Sequence, residues 1–134
     1  MRSIAWGLAA LLACGVLAAG AAASTSKERA DVPEAAPVTA AGVRYQAPLF
    51  TRTQGLPRNG GYVEAVDERS GQRKWLLDVV GPQPDDGKEA DKRDVFLTQL
   101  ALSPDGKQLQ ATDERGHRYR IDLRRRSVTR LGRP

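Results

Sequence analysis

The sequence predicts an all-β fold: an antiparallel meander of about six to seven strands forming a twisted sheet or small sandwich, with blade-like hairpins and no strong helix in the mature domain. Three observations carry that expectation. The segment His117–Leu123 alternates cleanly, with Tyr119, Ile121 and Leu123 on one side and Arg118, Arg120 and Asp122 on the other, as a half-buried strand does. Ser103-Pro104-Asp105-Gly106 is a turn with a mechanism, because proline presets φ and glycine accepts φ > 0. An internal echo sets Ala65 to Arg73 against Ala111 to Arg118, and each copy of its Asp-Glu-Arg turn encodes one hairpin.

Taken in chain order, the 134 residues open with the cationic start Met1-Arg2-Ser3, followed by Ile4 to Ala23 without a charge. Ala21-Ala22-Ala23 then supplies small residues at a cleavage position, so residues 1–23 read as a signal peptide and the protein as exported, periplasmic or secreted. Two alternatives stay open. Leu11-Leu12-Ala13-Cys14 resembles a bacterial lipoprotein box, which would lipidate Cys14 and tether the chain. The apolar run could also stay in place, since a bilayer is spanned by ~20 such residues. Residues 24–41 hold Pro33 and Pro37 and show no period of two or 3.6, which predicts a flexible leader before a single β domain over 42–134.

Within that domain Gly61–Asp67 reads as a strand and Glu68-Arg69-Ser70-Gly71 as its turn. Gln72–Val80 follows with Trp75, Leu77 and Val79 on one face. Asp94–Leu102 is apolar on both faces, as a covered central strand would be. Lys107–Thr112 pairs back across the Pro-Asp-Gly turn, and Asp113–Gly116 turns again into His117–Leu123. Ser127–Leu131 forms an edge strand blunted by arginines.

The stretch Tyr62 to Asp67 through Ser70-Gly71 to Trp75 resembles the strand pair of a quinoprotein-type β-propeller blade. Leu102 to Leu109 is similar to the Ser-Pro-Asp-Gly hairpin of WD40-like propellers. A closed propeller takes ~4–8 four-stranded blades, and seven strands are too few, so propeller activity and quinone binding are not implied. The pattern also resembles short secreted bacterial β-proteins, a likeness that names no activity.

Composition bounds the chemistry. One Cys and one His leave no structural zinc set and no disulfide, and Cys14 lies in the signal segment, away from His117. Neither cofactor nor metal is expected, and Ser70, Ser103 and Ser127 lie in turns outside any nucleophile motif, so the chain reads as no enzyme. Lys and Arg number 21 against 16 acids, and the excess gathers at the C-terminal end. There Arg118, Arg120, Arg124, Arg125 and Arg126 are the candidate residues for an anionic partner, because a guanidinium binds phosphate or carboxylate with a planar fork. The plainer reading is a solvated strand face that protects the edge. Nucleic acid is a poor match, with no aromatic platform among these arginines.

Four other features carry weaker readings. Asp85, Asp86, Glu89, Asp91 and Asp94 could supply oxygen ligands to Ca²⁺, yet Lys88, Lys92 and Arg93 interleave with them and favour a solvated loop. His117 is expected at the rim of a sheet and Trp75 in the core. Arg52 and Arg58 sit in a long glycine-rich connection where binding residues often lie. The expected function is therefore a non-catalytic envelope or secreted binding or adaptor module, acting through an exposed sheet edge and an Arg-rich face on an unidentified envelope protein or anionic envelope component. The alternative is a self-associating structural β unit, a homo-oligomer.

Overall fold

Tight turns opened by aspartate decide which strands pair. Asp67 Oδ1 accepts the N–H groups of Arg69 and Ser70 at 2.9 and 3.0 Å. Asp113 Oδ1 does the same for Arg115 and His117, both at 2.9 Å, and Asp122 Oδ1 for Arg124 and Arg125 at 3.0 and 2.8 Å. Each carboxylate satisfies backbone donors that a reversing chain cannot give to a neighbouring strand.

The computed structural model describes residues 31–83 and 90–132. Segment 1–23 with Cys14, and Asp85, Asp86 and Glu89, lie outside the described residues. Eight strands follow in order: β1 (Val38–Ala40), β2 (Val43–Gln46), β3 (Tyr62–Asp67), β4 (Arg73–Asp78), β5 (Leu97–Leu102), β6 (Gln108–Asp113), β7 (Arg118–Asp122) and β8 (Ser127–Gly132). Single 3₁₀ turns occupy Thr51–Gln54 and Ala90–Arg93. Among the described residues no helix is long and apolar enough to cross a membrane.

The strands form two antiparallel sheets, each an up-and-down meander, β1-β2-β3-β4 and β5-β6-β7-β8. The all-β expectation holds, but eight strands in two sheets replace one meander of six to seven. Two local causes account for the difference. β1 falls within 24–41, the stretch read as a leader, because a three-residue strand after Pro37 is too short to display a period. Ala35, just before it, is buried in the core. The second cause lies after β4, where the N–H groups of Val79 and Val80 both turn to the Gly61 carbonyl, at 2.9 and 3.3 Å, and the chain leaves the sheet. β4 ends the first sheet and β5 begins the second, so the two do not pair.

One core joins the sheets. Val63 and Val79 from the first meet Leu97, Leu100, Leu109, Ala111, Tyr119 and Ile121 from the second. Trp75, Leu77, Leu123 and Val128 pack against that cluster from its margins, so the expected inward faces of β4 and β7 are those observed. Leu109 and Ile121 are fully buried, and each contributes about 1.5–3 kcal/mol of hydrophobic stabilisation. Trp75 lies 6.0 Å, ring to ring, from Tyr45 in a tilted pair, which places it in the core margin.

The outer face of the first sheet is closed by polar side chains. Arg44 Nε donates to Gln46 Oε1 at 2.9 Å, Gln46 Nε2 to Glu64 Oε1 at 2.6 Å, and Arg73 Nε to Glu64 Oε2 at 2.7 Å. This ladder runs across β2, β3 and β4 and shields Glu64, so the buried carboxylate keeps charged donors. The second sheet has no such cover. Its outer row runs Ala101, Gln110, Arg120, Thr129 across the four strands, and all four residues are exposed.

Candidate functional site

The strongest concentration of cations without a carboxylate partner lies on the second sheet. Strand alternation sends Tyr119 and Ile121 inward and so forces Arg118 and Arg120 outward onto the same face. Arg120 is exposed and borders a shallow groove of about 260 Å³ between the β5–β6 turn and the outer face. Arg118 is half-buried, and its Nε has no hydrogen-bond partner. Arg124, Arg125 and Arg126 form the turn between β7 and β8, all three exposed. The five arginines therefore divide into a strand pair and a turn triplet.

The turn triplet has a neighbour that sequence spacing alone does not put there. The β6–β7 register pairs Gln108 with Asp122, and one step further the Leu123 N–H reaches the Lys107 carbonyl at 3.1 Å. That bond brings the β5–β6 turn beside the β7–β8 turn. Between them lies an open depression of about 580 Å³ lined by Gly106, Lys107, Asp122, Leu123, Arg124 and Arg125. Lys107 is the site residue the sequence reading missed. Counting pairs outward from the Asp113–Gly116 turn would have found it.

Both walls of the depression are held by their own hydrogen bonds. Asp105 Oδ1 accepts from Ser103 Oγ at 2.6 Å and from the Lys107 N–H at 3.0 Å, and the Gln108 N–H donates to Ser103 Oγ at 3.0 Å. The Ser103 hydroxyl and the Lys107 N–H hold the Asp105 carboxyl below its ordinary range, so it stays a carboxylate within its turn. In the other wall the Arg126 N–H donates to the Asp122 carbonyl at 2.7 Å. The ion pairs among the described residues join Arg52, Arg58, Arg73 and His117 to carboxylates. None involves Lys107, Arg120, Arg124, Arg125 or Arg126.

Arg52 and Arg58, the loop candidates, are used by the fold instead. Arg52 Nη2 donates to Asp94 Oδ2 at 2.8 Å, and the Asn59 N–H reaches Asp94 Oδ1 at 3.0 Å. Arg58 is buried, grips both carboxylate oxygens of Asp78, and lies 4.6 Å above the Tyr62 ring. Thr51 Oγ1 donates to the Arg58 carbonyl at 2.6 Å and accepts the Gly60 N–H at 3.1 Å. Asp94 is thereby saturated by the loop, which takes it out of any cation set. Among the described residues no three His, Cys, Asp or Glu side chains gather as a metal site would need.

His117 sits at the sheet rim with Nδ1 3.3 Å from Asp113 Oδ2, and Tyr119 donates to the same oxygen at 2.8 Å. The cluster orients a turn, with Asp113 Oδ1 holding the N–H groups of Arg115 and His117. Compared with known proteins, the chain matches no family model and no curated protein.

Proposed function

We propose that the chain is an exported, non-catalytic binding or adaptor module of the cell envelope. Its basic surface and the exposed edge β8 on the second sheet hold an anionic envelope component or an envelope protein. The observation that carries this reading is the contrast in charge pairing. Arg52, Arg58 and Arg73 are each tied to a carboxylate, whereas Lys107, Arg120, Arg124, Arg125 and Arg126, on one sheet and its turns, form no ion pair among the described residues. The hairpins fix the backbone from which these guanidiniums extend, and their planar forks suit phosphate or carboxylate. β8 bonds to β7 on one side, and among the described residues no strand pairs with its other side, the geometry that strand addition uses.

The test is affinity capture from solubilised envelope with the tagged mature domain at low and at high salt. Retention at low salt with release at high salt supports binding through the arginines, since at 1 M salt the screening length falls to ~3 Å. Retention of one protein in near-stoichiometric amount at high salt supports the strand edge. No capture at either salt overturns the proposal.

The sheet edges favour a second reading. The hairpin sequences resemble those of propeller blades, and two four-stranded sheets fall short of the ~4–8 blades that close a ring. Self-association would cover the open edges β4 and β8. Light scattering tests it, because a mass that rises with concentration supports assembly and a constant monomer mass excludes it.

A further inference from the structure

We infer that the depression between the β5–β6 and β7–β8 turns is a binding site for a phosphomonoester group, held by Lys107, Arg124 and Arg125. The inference deepens the binding-module reading and rests on it. The lining residues bring three cations against one carboxylate, Asp122, whose Oδ1 is already engaged by the N–H groups of Arg124 and Arg125. The remaining charge of the lining is close to +2, which a phosphomonoester matches with its charge of about −1.5 to −2 at pH 7. Two guanidinium forks and one ammonium also supply donors in several directions, as the oxygens of a tetrahedral anion require.

Shape and rigidity agree with the charge. At about 580 Å³ the depression is larger than a phosphate and leaves room for the esterified body beside Leu123, which lines the same space. Its walls do not need to form on binding. Asp105 and Ser103 lock one turn, Asp122 locks the other, and the Leu123 N–H to Lys107 carbonyl bond ties the two together. Arg126, next in the chain to Arg125, takes a left-handed backbone with φ +56° as the turn leads into β8.

The experiment titrates the full chain with phenyl phosphate, with phenyl sulfate as the singly charged comparison, and separately with vesicles of phosphatidylcholine with and without phosphatidic acid. Phenyl phosphate should bind more tightly than phenyl sulfate, and lowering the pH from 7.5 to about 5 should weaken it as the ester takes up a proton near pH 6. R124Q/R125Q and K107Q should each lower its affinity, the double variant by about tenfold or more. K74Q, which removes an exposed cation on β4 of the first sheet, should change it less than about twofold, since Lys74 lies outside the lining. The urea midpoint should not move in R124Q/R125Q or K107Q, whose side chains are exposed. Binding to phenyl phosphate alone places the ester on a soluble molecule, and binding to phosphatidic acid vesicles as well places it on a lipid headgroup; either result supports the site.

Loss of binding in R120Q but not in R124Q/R125Q overturns the inference and leaves the basic-surface reading standing. Equal affinity for phenyl sulfate, or no binding of either phosphate probe, overturns it too. The binding-module reading falls separately, when capture from envelope also returns nothing at both salts.

Discussion

Gly71 and Arg126 occupy the same place in two different hairpin turns. Each lies four residues after an aspartate, Asp67 or Asp122, and donates its N–H to that residue's carbonyl, at 2.8 and 2.7 Å. Each takes a left-handed backbone, with φ of +71° and +56°. Glycine does so without strain, and arginine does not.

Arg126→Gly should therefore stabilise the protein. Relief of about 1–2 kcal/mol of left-handed strain is set against the ~0.5–1 kcal/mol that glycine's extra freedom costs on folding, for a gain of up to ~1.5 kcal/mol. Urea unfolding should show a higher midpoint with an unchanged slope. A lower midpoint would mean that the arginine side chain itself holds the turn.

The two turns also mark what the sequence can and cannot disclose. The strands β3, β4, β6, β7 and β8 and their aspartate turns were legible because periodicity and turn chemistry are local properties, whereas the run Asp94–Leu102, read as a covered central strand, is the edge strand β5 with Thr98, Gln99 and Ala101 exposed. The partition into two sheets was not legible, because which strands pair across the long connection between β4 and β5 is a tertiary choice that local pattern does not encode. β1 was hidden by its length. At the candidate site the arginines were plain in the sequence, but Lys107 joins them only through cross-strand register. The burial of Arg58 was hidden for a related reason: its partner, Asp78, and the ring beneath it, Tyr62, lie on neighbouring strands.

Gly60 and Gly106 separate strain from clash. Both have positive φ, +74° and +71°. A Cβ on Gly60 would come within 2.6 Å of Phe96 Cδ1 and 2.8 Å of the Val95 carbonyl, whereas one on Gly106 meets open space. Gly106→Ala should cost about 1–2 kcal/mol from backbone strain alone. Gly60→Ala adds overpacking against backbone and should cost about 2–5 kcal/mol in total. Equal losses in urea unfolding would show that the loop over Val95 and Phe96 yields freely.

Removing Asp78 tests whether Arg58 is a structural cation. The Arg58 side chain is 4% exposed and that of Asp78 38%, so solvent already screens the carboxylate while the guanidinium depends on it. Asp78→Ala leaves the guanidinium buried with the Tyr62 ring as company and should cost about 2–3 kcal/mol. Arg58→Met with Asp78→Ala should cost less than the two single changes added together, because the second change removes the stranded charge. Strict additivity in urea unfolding would mean that the pair has no coupling.

Tyr119 and Asp113 set an alkaline limit on stability. Tyr119 is 4% exposed and its hydroxyl donates to Asp113 Oδ2 at 2.8 Å. Burial first, then the hydrogen bond to Asp113 and its negative charge, push the phenol from 10.0 up to about 12. A folded pKa above the unfolded one means that the unfolded chain sheds its proton first as pH rises. The contribution is thus fully present below about pH 10 and is lost progressively as pH rises through about 12. Tyr119→Phe should flatten that alkaline decline. At neutral pH it should also cost about 1–2 kcal/mol, because Asp113 Oδ2 loses its shortest donor and keeps only the His117 ring at 3.3 Å. Urea midpoints from about pH 8 to pH 12 provide the comparison, with Tyr62→Phe as a control because burial raises Tyr62 as well. An identical alkaline decline in wild type and Tyr119→Phe would assign it to other groups and remove Tyr119 from the account.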